Sequence, residues 1–245
     1  MVVRDSIIVA YLGGNYRTFV GDTEDVRSIY LDGERELLHN CRVIVLADGR
    51  LLSGRHSRNG YFRSTEFGNV SWDLHIWDLR HMGNYLLRMR GHTGPVSCMA
   101  ELPGMRAVSG GALGQIVVWD TTTGERVREL HGPIGSPNVV CVSGTAEGRV
   151  VSMFEDSSIR VWDANTGECT SRLDRQGRPF DVLQKTAVAV MADGSVVIGF
   201  GHEQRLLLWT MTNSGLSTFA FANVGGPHEE CALQTRSRVG HEVSM

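Results

Sequence analysis

The chain has 245 residues, 42% hydrophobic and 21% charged, with a formal net charge of −3. That composition suits a soluble domain with a sizeable core, and it leaves no global basic field to attract nucleic acid or an anionic membrane. No apolar run approaches the roughly 18 residues that span a bilayer, and Arg4-Asp5 ahead of Ile7-Ile8-Val9-Ala10 makes a poor signal sequence.

Read in chain order, short β-prone runs alternate with glycine turns. The first group is Ile7 to Leu12, Tyr16 to Val20, Val26 to Leu31 and Glu34 to Leu38, turning at Gly13-Gly14 and Asp32-Gly33. The second, Cys41 to Gly91, turns at Asp48-Gly49 and Gly83-Asn84. The third is the clearest: Val96 to Ala100, a turn at Leu102-Pro103-Gly104, Arg106 to Gly110, a tight bend, Gln115 to Asp120, a turn at Thr121 to Glu125, and Arg126 to Leu130. The fourth, Val139 to Leu173, turns at Glu147-Gly148 and Asn165-Thr166-Gly167; the fifth, Ala187 to Ala222, turns at Asp193-Gly194 and Asn213-Ser214-Gly215. Each group reads as four strands joined by hairpins, because glycine accepts the positive φ that tight turns need.

One signature recurs at the end of the third strand in four of the five groups; the first has Ile29-Tyr30 there. The signature reads Ile76-Trp77-Asp78, Val118-Trp119-Asp120, Val161-Trp162-Asp163 and, degraded, Leu208-Trp209-Thr210, with the tryptophans 42, 43 and 47 residues apart. Such a period marks an array of one β unit. The inner strands are apolar on both faces, so each sheet must be covered front and back by its neighbours, which radial stacking achieves. A β-sandwich would show clean alternation and no such period.

These residues resemble the WD40-repeat β-propellers over at least 38–222, most closely at Arg90-Gly91-His92, Val108-Ser109-Gly110 and Ile116-Val117-Val118-Trp119-Asp120. The resemblance implies an all-β propeller with about five visible four-stranded blades and the start of a sixth. The whole chain, 1–245, is read as one domain, with repeats at about 6–40, 41–91, 92–132, 139–176 and 187–222 and a tail or further repeat over 223–245. The expected alternatives for closure are a fragment, a small ring, or self-association or a partner that completes the ring. In that family a His, a Ser or Thr, an Asp and the Trp form a hydrogen-bonded structural tetrad. Carried over, the third unit supplies His92, Ser109 and Trp119 but has Leu113 at the Asp position. The fourth supplies Ser152, Asp156 and Trp162 but reverses the glycine-histidine pair to His131-Gly132. The fifth has Gly199 for Ser and Glu203 for Asp, so no unit is complete.

Chemistry-bearing motifs are sparse. Gly110-Gly111-Ala112-Leu113-Gly114 lies between strands, with no helix to make it a phosphate cradle. His228-Glu229-Glu230-Cys231 reads as solvated surface, and there is neither a nucleophile elbow nor a Cys-x-x-Cys. No catalytic, cofactor or metal residue is assigned. The five cysteines are odd in number and unclustered, which suits buried thiols of the cytoplasm or nucleus. The expected function is a non-catalytic scaffold that binds other proteins, with no membrane contact and nucleic acid disfavoured. A propeller enzyme with an axial-channel site is the alternative from another class. Two features point to partners. The long segment between the second and third strands of the second unit carries Arg55, Arg58, Tyr61, Phe62, Arg63 and Phe67, the residue types that dominate interface hot spots. Trp77-Asp78-Leu79-Arg80 resembles the box by which WD40 substrate receptors of cullin-type ubiquitin ligases dock on their adaptor, with Arg80 as the contact.

Overall fold

The computed structural model describes side chains at residues 42–54, 72–78, 85–132, 135, 137–156, 158–172 and 197, and the backbone of further strands on both sides. The first sheet is β1 (Val2–Arg4), β2 (Ile7–Leu12), β3 (Asn15–Val20) and β4 (Val26–Ile29). The second is β5 (Cys41–Val45), β6 (Leu51–Arg55), β7 (Leu74–Trp77) and β8 (Tyr85–Met89); the third is β9 (Val96–Leu102), β10 (Arg106–Gly111), β11 (Ile116–Asp120) and β12 (Arg126–Leu130). The fourth is β13 (Val139–Gly144), β14 (Arg149–Phe154), β15 (Ile159–Asp163) and β16 (Cys169–Leu173). The fifth is β17 (Thr186–Val190), β18 (Val196–Phe200), β19 (Arg205–Thr212), β20 (Gly215–Asn223) and a short β21 (Gln234–Arg236). Strands within each sheet are antiparallel neighbours in sequence order, and the first strands β1, β5, β9, β13 and β17 lie against one another in succession. The sheets are therefore blades stacked around an axis, as an all-β propeller requires.

The first blade begins one strand earlier than its sequence suggests. Val2–Arg4 pairs with Ile7–Val9 across Asp5-Ser6, which makes Ile7–Leu12 the second strand and Val26–Ile29 the fourth. A three-residue strand is too short to show a period, and no glycine marks its turn. The segments 34–38 and 238–245 lie outside the described residues.

Packing explains why the middle strands look apolar throughout. Ala107, Val117 and Trp119 join a core with Leu52, Leu74, Ile76 and Met89 of the second blade. Their neighbours Val108, Ile116 and Val118 join a different core with Val139, Val150, Phe154 and Trp162 of the fourth. Alternate residues of one strand thus feed two cores, and both faces are buried. The outer strand β12 is exposed at Arg126, Val127 and Arg128.

The Asp of the Trp-Asp pair builds the turn that follows in the third and fourth blades. Asp120 Oδ1 accepts the backbone N–H groups of Thr122 at 2.7 Å and Thr123 at 3.0 Å, and Asp163 Oδ1 accepts those of Asn165 at 2.7 Å and Thr166 at 3.1 Å. These bonds hold both carboxyls below the usual range; for Asp120 the Thr122 hydroxyl contributes most, for Asp163 the Thr166 amide. Each turn closes through a glycine, and Gly167, with φ 83°, also receives the previous blade: a Cβ there would stand 2.6 Å from Arg128 Cδ.

Candidate functional site

The third blade contains a buried chain of polar groups. Trp119 Nε1–H donates to Ser109 Oγ at 2.7 Å. Ser109 Oγ lies 2.6 Å from His92 Nε2, and His92 Nδ1 lies 3.1 Å from Gln115 Oε1. A carboxamide oxygen accepts, so the bond to Gln115 places the imidazole proton on Nδ1 and leaves Nε2 to accept the Ser109 hydroxyl. Gln115 Nε2 in turn donates to Gly91 O and to Glu129 Oε1, each at 3.1 Å. Ser109 is fully buried and His92 is 7% exposed. Burial pushes the His92 pKa down to about 4 against the upward pull of Gln115 and Glu129, so the ring is neutral at pH 7.

Gln115 is the member that family reasoning does not supply. Leu113, at the expected Asp position, points to solvent at 79% exposure. The carboxamide reaches the same imidazole from two residues further along, four before Trp119. The equivalent positions hold Asp73 in the second blade and Ser158 in the fourth. Asp73 is 7% exposed and bonded to Arg88 Nε, with Arg90 Nε at 3.9 Å; Ser158 is 3% exposed.

The second and fourth blades keep the serine-to-tryptophan bond. Trp77 Nε1–H donates to Ser53 Oγ at 2.9 Å, and Trp162 Nε1–H donates to Ser152 Oγ at 2.8 Å. Asp156 is not joined to that pair by any bond the structure shows: it is exposed, and its Oδ1 accepts the Ser158 N–H at 2.9 Å. The structure thus brings His92, Ser109 and Trp119 together, and Ser152 with Trp162, while Asp156 shapes its own bend. Arg55 ends β6, with its side chain outside the described residues; Arg58, Tyr61, Phe62, Arg63, Phe67 and Arg80 lie outside them altogether.

On the opposite face, arginines tie the second blade to the third and the third to the fourth. Arg50 NH1 donates to Thr121 O at 2.6 Å while its Nε meets Asp48 Oδ2 at 2.6 Å. Arg106 NH1 donates to Asn165 Oδ1 at 2.8 Å. Arg106 stands opposite Asp120 across the second and third strands, as Arg149 stands opposite Asp163 in the next blade.

Among the described residues no group of three or more His, Cys, Asp or Glu could hold a metal ion. Cys98, Cys141 and Cys169 are free thiols. Burial pushes the Cys98 pKa up to about 12, which leaves it a protonated thiol.

Residues 83–120 match the family model of the WD domain, G-beta repeat. The chain is 27% identical over 158 residues to the nuclear distribution protein nudF of Aspergillus niger, covering 62% of this chain and 34% of that relative. It is 25% identical over 156 residues to the small ribosomal subunit protein RACK1y of Oryza sativa subsp. japonica, covering 59% and 44%. The matched segments thus span less than half the length of either relative. The solved structure titled KlHsv2 with loop 6CD replaced by a Gly-Ser linker shares the fold at TM-score 0.60 and 14% identity, over 87% of this chain and 67% of that one. With a WD40 repeat at 83–120 and blades of the same build on both sides of it, the chain has the fold and the repeat signature of the WD40-repeat β-propellers.

Proposed function

We propose that the chain is a non-catalytic scaffold that binds other proteins through its loop faces, in the cytoplasm or nucleus. The observation that carries this reading is the fate of Ser109 and His92. At 2.6 Å they are spaced like a nucleophile and its base. Yet Ser109 is fully buried and its oxygen also accepts the Trp119 indole N–H, so no substrate reaches it. The reactive groups of the blade are used to hold strands together, and the loops are left for contact. The free thiols suit a reducing compartment. Among the described residues no helix is long and apolar enough to cross a membrane.

The aromatic and arginine residues between Arg55 and Phe67 are the proposed partner-binding element. Affinity capture with the whole chain, then reconstitution with the recovered protein, tests both levels. A protein bound in stoichiometric amount is expected, with affinity reduced at least tenfold, about 1.4 kcal/mol, by Arg58→Ala with Tyr61→Ala. Recovery of no such protein sinks the scaffold reading. Recovery of one that binds the variant equally well moves the site off that segment.

A further inference from the structure

The bend between β10 and β11 holds an apolar side chain out to solvent. Leu113 is 79% exposed and adopts φ 57°, a conformation that glycine or asparagine takes at less cost. Its backbone is clamped from several sides. Ala112 N–H donates to Pro95 O at 3.1 Å, Gln115 N–H to Ala112 O at 3.2 Å, and Leu113 N–H itself to Asn138 Oδ1 of the next blade at 3.0 Å. Gly94 and Gly111 let the bend sit close against its neighbours: a Cβ on Gly111 would stand 2.5 Å from Pro95 O, and one on Gly94 would stand 2.9 Å from the Ala112 Cβ. Leu113 is therefore a fixed knob, and Gln115 has already taken over the bond to His92. Position 113 is free of the tetrad and nevertheless carries an exposed leucine at a strained φ.

Among the described residues, the charged groups that follow its anchor on the next blade are acidic. Asn138, whose Oδ1 anchors the Leu113 amide, donates through Nδ2 to Glu155 Oε1 at 3.1 Å, and the exposed Asp156 follows directly in the neighbouring bend. We propose that Leu113 is the apolar anchor of a protein-docking site on this face, and that its occupant is a partner segment setting an apolar side chain beside a lysine or arginine. The leucine gives buried apolar contact at no further ordering cost, and the carboxylates select the basic residue. This rests on the scaffold reading and specifies where one partner binds.

A displayed library of random 12-mer peptides, selected on the wild-type whole chain, tests it. Enriched peptides should pair Leu, Phe or Trp with Lys or Arg. Their affinity should fall at least tenfold for Leu113→Gly and severalfold for Glu155→Gln with Asp156→Asn, substitutions that keep the acceptor oxygens. Glycine fits the backbone of position 113, so Leu113→Gly should melt no lower than wild type, and lost binding then reports the side chain. Enriched peptides that bind Leu113→Gly unchanged, peptides of acidic composition, or no enrichment at all each overturn the proposal. The scaffold reading falls only if whole-protein capture also recovers nothing.

Discussion

Gln115 Oε1 accepts the Nδ1–H of His92 at 3.1 Å, which restores from a different backbone position the bond that the WD40 family assigns to an aspartate. Sheet geometry makes the exchange workable: Gln115 immediately precedes β11, and its longer side chain bridges the gap that Leu113 leaves. Gln115→Ala removes the acceptor for His92 and the donor to Gly91 O and Glu129. A loss of about 1–3 kcal/mol is expected, the usual cost of stranding buried polar groups. Chemical denaturation of the variant measures it; a midpoint equal to wild type would mean that water satisfies His92 equally well.

The tryptophans should dominate blade stability. Trp162 is 2% exposed, lies in the core shared by the third and fourth blades, and donates to Ser152. Trp162→Ala should cost about 3–5 kcal/mol, as large-to-small core changes do. Ser152→Ala should cost about 1 kcal/mol, because it strands one indole N–H. Thermal unfolding ranks the two, and a near-zero shift for Trp162→Ala would refute the assignment.

The repeat and its turns were readable because a fixed physical job fixes the residue type. An Asp able to accept two backbone N–H groups must follow the tryptophan, and a glycine must close the turn at positive φ, as Gly124 does at φ 76° and Gly167 at φ 83°. Gln115 was not readable, since the position four before Trp77, Trp119 and Trp162 holds Asp73, Gln115 and Ser158, and each does something different there. Arg50 and Arg106 escaped notice because their partners, Thr121 and Asn165, lie in the next blade, at sequence distances that local patterns do not encode. The first strand was missed for its brevity.

Those arginines lead to a third expectation. The Arg50 side chain is 14% exposed and uses its fork to hold Asp48 and Thr121 O together. A lysine carries its three donors on a single nitrogen and cannot span the two acceptors as the planar fork does. Arg50→Lys should therefore cost about 1–2 kcal/mol, while Arg106→Lys, at an exposed bond to Asn165, should cost about 0.5 kcal/mol or less. Equal losses in urea unfolding would show that only the charge matters.

The buried imidazole makes stability depend on pH in a defined window. An unfolded histidine titrates near its ordinary value of 6.5, whereas His92 in the fold is pushed down to about 4 by burial. As pH falls below 6.5 the unfolded chain takes up a proton that the folded chain refuses, so unfolding becomes easier. The loss builds from about pH 6.5 down to about pH 4 and then levels off, because below that both states are protonated. The full difference amounts to on the order of 3 kcal/mol. Other titrating groups act in the same range, so the informative quantity is the gap in unfolding free energy between wild type and His92→Asn. Asparagine does not titrate, and the gap should be widest at pH 7 and shrink steadily toward pH 4.5. Fluorescence-monitored urea unfolding at pH 7.0, 5.5 and 4.5 measures it. A constant gap would mean that His92 takes up its proton in the fold at its ordinary pKa, and that burial does not hold the ring neutral.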